Sequence, residues 1–198
     1  MPMNIPSDAE LQEIVRQVVR RVQGGGAPPA SGGMPEVKAA APPASVSPAA
    51  AAKTVAIGCD HGGFSMKVNL AAHLKEKGYQ VIDCGTYSTA SVDYPDFALA
   101  VATQVKDGKA WRGIVIDGAG IGSCMAANKV HGVRAAMCYD HATAFNSREH
   151  NNANVLTLGA GLIGPSLAKQ IVDTFLTTEF GGGRHAKRVD KIMAIEEK

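Results

Sequence analysis

The chain has 198 residues, 45% of them hydrophobic and 5% aromatic, with a formal net charge of +2; this suits one globular domain with appendages and excludes an electrostatic case for nucleic acid. Its four cysteines, at 59, 84, 124 and 138, lack metal-ligand spacing and are not needed as a disulfide frame, so reduced thiols in a cytoplasmic protein are expected. No apolar run nears the roughly 20 residues that cross a bilayer, and the first residues lack the apolar core of a secretory signal.

Residues 1–23 are predicted to hold an amphipathic helix. Leu11, Ile14, Val15, Val18, Val19 and Val22 recur at helical spacing, with Arg16, Gln17, Arg20 and Arg21 mainly off that stripe. Ser7 followed by Glu10 fits a capping box. So short a helix is marginal alone in water and needs a partner surface. Residues 24–52 are mostly Gly, Pro, Ala and Ser, with few residues able to form a core, a flexible tether whose typical reach is roughly 30 Å. A striped helix on a long tether is built to dock on something other than its own domain, although a helix-in-groove ligand of any kind has this look.

The domain spans 53–198. Strand-like text falls at 55–58, 80–83, 113–116, 133–138 and 154–158, with helical text at 64–77, 93–107, 122–129, 140–149, 164–178 and 184–197. Five strands alternating with helices predict a parallel sheet covered on both faces, with right-handed crossovers. Gly181-Gly182-Gly183 sets the last helix apart, leaving it able to pack away from its own subunit.

One stretch organises the rest: Ile114-Val115-Ile116-Asp117 followed by Gly118-Ala119-Gly120-Ile121-Gly122-Ser123. It reads as strand, tight turn and helix start. Its glycines let a ligand approach the main chain, and free amides at a helix start suit an anion. Asp117 would end its strand where open α/β sheets place ligands. The loop is no dinucleotide fingerprint, because Ser123 and Met125 stand where the last glycine belongs. A small phosphorylated or polyhydroxylated ligand fits better.

Four other motifs carry polar chemistry. In Gly58-Cys59-Asp60-His61-Gly62-Gly63, an imidazole beside a carboxylate can bind phosphate or move a proton; a capping Asp with a surface His is the plainer reading. Asp93-Tyr94-Pro95 marks a helix start, and the Tyr94 hydroxyl can reach a ligand. His150 and Asn151 end a helix, where a His also suits the helix dipole. Arg184 and Arg188 lie four apart on one helix face, a spacing that suits a phosphate or a solvated basic turn.

Taken in order from Lys53 onward, GCDHGG (58–63), DYP (93–95), the glycine loop with AANK (118–129), SREHNNANV (147–155) and GGRHAKRV (182–189) resemble the ribose-5-phosphate isomerase B family, which includes galactose-6-phosphate isomerase subunits. The resemblance implies a Rossmann-like three-layer α/β/α sandwich around a five-stranded parallel sheet. It implies a homodimer or homotetramer with active sites between subunits. It also implies aldose–ketose isomerisation of a sugar phosphate without metal or other cofactor. By position, Asp60 and His61 would contact sugar and phosphate, and Tyr94 would line the pocket. The amides from Gly118 through Ala119, Gly120, Ile121 and Gly122, with Ser123 beside them, would hold the enediolate oxygen. His150 would help open the ring, with Asn151 beside it. Arg184 and Arg188 would clamp phosphate, at least one from the neighbouring subunit. The front of the chain resembles the encapsulation peptides that route enzymes into bacterial microcompartments, which implies shell or cargo proteins as partners.

The departures from the family concern the base. Many members carry a catalytic Cys where this chain has Asp117 and a Thr or Ser where it has Ala119. Another branch uses a Glu where Ser123 stands. Proton transfer through an enediolate still needs an acceptor, so Asp117 is the expected base, with Cys124 as the weaker option. The expected substrate is ribose 5-phosphate, in exchange with ribulose 5-phosphate. Another pentose, tetrose or hexose phosphate is the alternative, as is a lapsed member that only binds or scaffolds.

Overall fold

The computed structural model describes residues 54–197. The expected helix in 1–23 and the tether over 24–52 lie outside them. In chain order the elements are β1 (Thr54–Cys59), α1 (Phe64–Glu76), β2 (Gln80–Asp83), α2 (Tyr94–Lys106), β3 (Arg112–Asp117), α3 (Ile121–Ala127), β4 (Ala135–Met137), α4 (His141–Glu149), β5 (Val155–Gly159), α5 (Pro165–Thr177) and α6 (Arg184–Met193). The strands form one sheet in the order β2-β1-β3-β5-β4, and every pairing is parallel. This is the expected Rossmann-like sandwich.

Strand text and position agree. β1, β3 and β5 are buried throughout, as inner strands covered on both faces must be. β2 and β4 are the partly exposed margins. On one face Ile57, Ile114, Ile116, Leu156 and Leu158 meet Leu70 and Leu74 of α1 and Ile171 and Phe175 of α5. On the other Ala56, Val115 and Val155 meet Ala98, Val101 and Ala102 of α2 and Ala127 of α3. Alternate residues of each inner strand thus feed opposite layers.

From β1 the chain crosses to β2 on one side, and from β2 it crosses back through α2 past β1 to β3 on the other. That reversal opens a crevice beyond the carboxyl ends of β1 and β3, where ligands of such sheets sit. Two expectations are corrected. β4 is shorter than 133–138 because the 128–134 turn is tied by Asn128, whose side chain donates to Ala135 O at 2.9 Å and accepts from its amide at 2.8 Å. The last helix ends at Met193, short of 197; Val189 is its one buried residue, the Gly181 amide before it donates to Glu149 O at 2.9 Å, and Arg134 Nη1 donates to Met193 Sδ at 3.3 Å.

Candidate active site

Three segments meet beyond the carboxyl ends of β1 and β3. The Asp60 amide donates to Ile116 O at 3.1 Å, which sets the residue after β1 beside the end of β3. Asp60 Oδ1 accepts from the Gly63 amide at 3.0 Å; Oδ2 has no hydrogen-bond partner among the described residues. The carboxyl group lies at the mouth of the glycine loop. A Cβ on Gly62 would sit 3.4 Å from Asp60 Oδ1 and 3.8 Å from the Gly118 nitrogen. His61 is pinned across the gap, its Nδ1 accepting from the Val92 amide at 3.3 Å. Val92 lies just before Tyr94, so this bond ties the first motif to the second.

Tyr94 lies flat against the loop. A Cβ on Gly122 would fall 2.5 Å from Tyr94 Cζ and 2.7 Å from its hydroxyl. Only glycine allows that approach, and Gly120, at φ +79, needs its conformational freedom for the turn itself. Thr157 Oγ1 donates to Gly120 O at 2.9 Å from the floor of the sheet. Sequence reasoning missed Thr157 and Val92; a lone hydroxyl in a buried strand was the only sign of the first, and the second carried none.

Asp117 does not face the crevice as a free base. Its Oδ1 accepts from the Ala119 amide at 2.9 Å and from the Gly120 amide. Its Oδ2 accepts from the Ser123 amide at 3.0 Å and the Ser123 hydroxyl at 2.6 Å. A carboxylate has about four lone-pair sites, and four donors occupy them. The side chain is 4% exposed and Ser123 0%. These four bonds weigh against Asp117 as the group that takes the proton: in the structure the carboxylate shapes the loop. It also removes the Ala119, Gly120 and Ser123 amides from the set expected to hold an enediolate oxygen. The amides of Gly118, Ile121 and Gly122 have no hydrogen-bond acceptor among the described residues.

Cys124 fares no better as a base. Its Sγ donates to Ala135 O at 3.4 Å, and burial, the largest effect, pushes its thiol above the usual cysteine range. A thiol reacts as the thiolate.

His150, Asn151, Arg184 and Arg188 are gathered elsewhere. Asn146 Nδ2 donates to His150 Nδ1 at 2.7 Å, and the His150 ring stacks on His185 with centroids 4.2 Å apart. Asn151 Nδ2 donates to Asn146 O at 3.3 Å. Arg184 and Arg188, with Lys187 and Lys191, line a basic hollow on α6. This cluster borders the amino end of β5. Gly113 pairs with Val155 and Asp117 with Gly159, so one strand length, about 13 Å, separates the two rims. The chain therefore carries two sets of expected site residues and does not bring them together by itself.

A family model described as Ribose/Galactose Isomerase matches residues 55–192. The chain belongs to that family. Ribose-5-phosphate isomerase B of Escherichia coli K12 is 47% identical over 146 residues, covering 74% of this chain and 98% of the relative. D-erythrulose-4-phosphate isomerase of Pectobacterium atrosepticum is 45% identical over 144 residues, covering 72% and 95%. The solved ribose-5-phosphate isomerase B of Clostridium thermocellum superposes with a TM-score of 0.72 at 56% identity, covering 73% of this chain and 97% of the other. The chain is thus an enzyme, an aldose–ketose isomerase of that family.

Proposed function

We propose that this isomerase interconverts ribose 5-phosphate and ribulose 5-phosphate, with Asp60 as the proton acceptor. The observation that carries the assignment is the contrast between two neighbouring carboxylates. Asp117 has its lone pairs filled by four donors, whereas Asp60 spends one oxygen on the Gly63 amide and keeps the other unbonded at the loop mouth. Asp60 takes the C2 proton of the open-chain aldose. The C1 carbonyl becomes an enediolate oxygen, held by the amides of Gly118, Ile121 and Gly122. The proton then returns from Asp60 to C1 while the C2 hydroxyl proton passes to the C1 oxygen, so that C2 becomes the ketone and C1 the alcohol. His61 and the Tyr94 hydroxyl bound the sugar.

The ring-opening His150, with Asn151, and the phosphate clamp of Arg184 and Arg188 come from the amino rim of a second copy. The 13 Å spacing between the two rims in one chain supports this reading. Such sharing makes the working unit a homodimer or a homotetramer.

A positioned base contributes roughly 10²–10⁴-fold. Asp60→Asn should lower kcat by that order while keeping the melting temperature. Full turnover in that variant would remove Asp60 from the role.

A tetrose phosphate is the second reading. Ala119 lacks the hydroxyl of many family members, and the Pectobacterium relative bears the name of a tetrose-phosphate isomerase. A coupled assay over aldose phosphates of four to six carbons separates the two. A protein that binds these sugars but converts none is the lapsed member.

The amphipathic pattern of 1–23 and the Gly/Pro/Ala-rich text of 24–52 support docking to a microcompartment shell or its cargo. Deleting residues 1–23 should leave turnover intact and release the enzyme from shells. Continued co-purification with shells would refute that role.

A further inference from the structure

Three arginines converge under the amino end of the sheet, beside the segment that carries His150 and Asn151. Arg112 opens β3 and Arg134 precedes β4. They flank Asn154 across the sheet, because Gly113 and Ala135 both pair with Val155. Arg112 shares the strand face of Ile114 and Ile116, the face covered by α1 and α5. From α4, Arg148 reaches the same layer, lying over the Phe175 ring of α5. Arg112 is 9% exposed and Arg148 1%.

We propose that Arg112, Arg134 and Arg148 form a binding site for a small oxyanion, of which inorganic phosphate is the probe.

Their donors are only partly spent. Arg148 gives Nε to Thr178 O at 3.3 Å, and Nη1 to Asn152 Oδ1 at 2.9 Å and Ala153 O at 2.5 Å. Arg134 gives Nε to Asn152 O at 3.0 Å and Nη1 to Met193 Sδ. Arg112 gives only Nη1, to Trp111 O at 3.3 Å. All three Nη2 groups lack an acceptor among the described residues, and so does the buried Arg112 Nε. Among the described residues Arg112 Nε is the donor that is both buried and unpaired, a strongly disfavoured state for a charged group; an oxyanion would supply its acceptor and engage the solvent-reached Nη2 groups with the fork geometry guanidinium favours.

Charge is unbalanced in the same sense. Glu179, on the loop after α5, is the acidic neighbour of Arg112 and Arg148. Glu196, near Arg134, is already engaged with the Gly132 amide at 2.9 Å and with His131 at 3.2 Å. Burial first, then the like charge of Arg148, pushes Arg112 down to about 10; burial lowers Arg134 and Arg148 as well. Two of the arginines hold Asn152, two residues beyond His150. An anion there would stiffen the segment that presents the imidazole.

Trp111 is the only tryptophan in the chain, and the Arg112 guanidinium lies 4.2 Å from its ring centroid. Its fluorescence therefore reports this site. The experiment titrates full-length protein with inorganic phosphate at fixed ionic strength. It uses the wild type, Arg112→Gln, Arg134→Gln, and the double variant Arg184→Ala/Arg188→Ala. A saturable emission change in the wild type and in the double variant, lost in Arg112→Gln and in Arg134→Gln, supports the site. Arg134 is the less buried of the two, so its variant stands if Arg112→Gln fails to fold. No saturable change in the wild type would overturn the proposal. So would a change that survives in a folded Arg134→Gln, or one that disappears in the double variant.

Discussion

Replacing Asp117 by Asn tests the role the structure gives that carboxylate. The substitution keeps one oxygen, which can still accept from the Ala119 and Gly120 amides. It turns the other into an NH₂ group facing the Ser123 amide and hydroxyl. The hydroxyl can rotate and accept, but the amide cannot. One donor of a fully buried residue is left unpaired, which costs about 1–3 kcal/mol. At roughly 2–4 °C per kcal/mol for a chain of this size, the melting temperature should fall by about 2–12 °C. Turnover should fall as well, because the loop that holds Tyr94 and the free amides loses its anchor. Calorimetry beside the isomerase assay gives both numbers. An Asp117→Asn protein that melts like the wild type but does not turn over would refute the anchoring role and return the base to Asp117.

Gly122→Ala should cost about 1–3 kcal/mol through overpacking, since its Cβ would lie 2.5 Å from the Tyr94 ring. Adding Tyr94→Ala should recover part of that loss, and strictly additive melting shifts would break the link. Burial pushes the Cys59, Cys84 and Cys138 thiols up to about 11. Ellman's reagent at pH 8 should therefore label them much more slowly in native than in unfolded protein; equal rates would contradict their burial. Partial desolvation, then the charges of His150, Arg184 and Arg188, hold His185 below the usual histidine range. The unfolded chain then takes up this proton first as pH falls, so the contribution to stability is present above about pH 6.5 and is lost on acidification. His185→Asn should flatten the acid side of the melting-temperature profile, and an unchanged profile would argue against it.

Most of the architecture was legible because β1, β3 and β5 are near-continuous apolar runs and the helices between them keep their own period. The edge strand β4 was read too long: Val133 runs into the apolar Ala135–Met137 text with only Arg134 between, yet Asn128 ties that segment into a turn. The glycine loop and Tyr94 lie together at Gly122. How the carboxylate in that loop is bonded was not legible, because the position of Asp117 can be inferred from a strand end but its hydrogen-bond partners cannot. Three of its four donors are main-chain amides, whose direction depends on the turn that Gly120 makes possible. The buried arginines left no periodic trace, since Arg112, Arg134 and Arg148 come from three separate segments.

The two rims, a strand length apart, carry a consequence for mixed assemblies. A lesion in Asp60 and a lesion in Arg184 can reside in different molecules. When two such crippled forms are unfolded together and refolded, random two-fold pairing gives hybrids in which one composite pocket is whole and the other doubly damaged. Complementation to about a quarter of normal activity, from two parents that each have almost none, would be the signature of catalysis divided between neighbours.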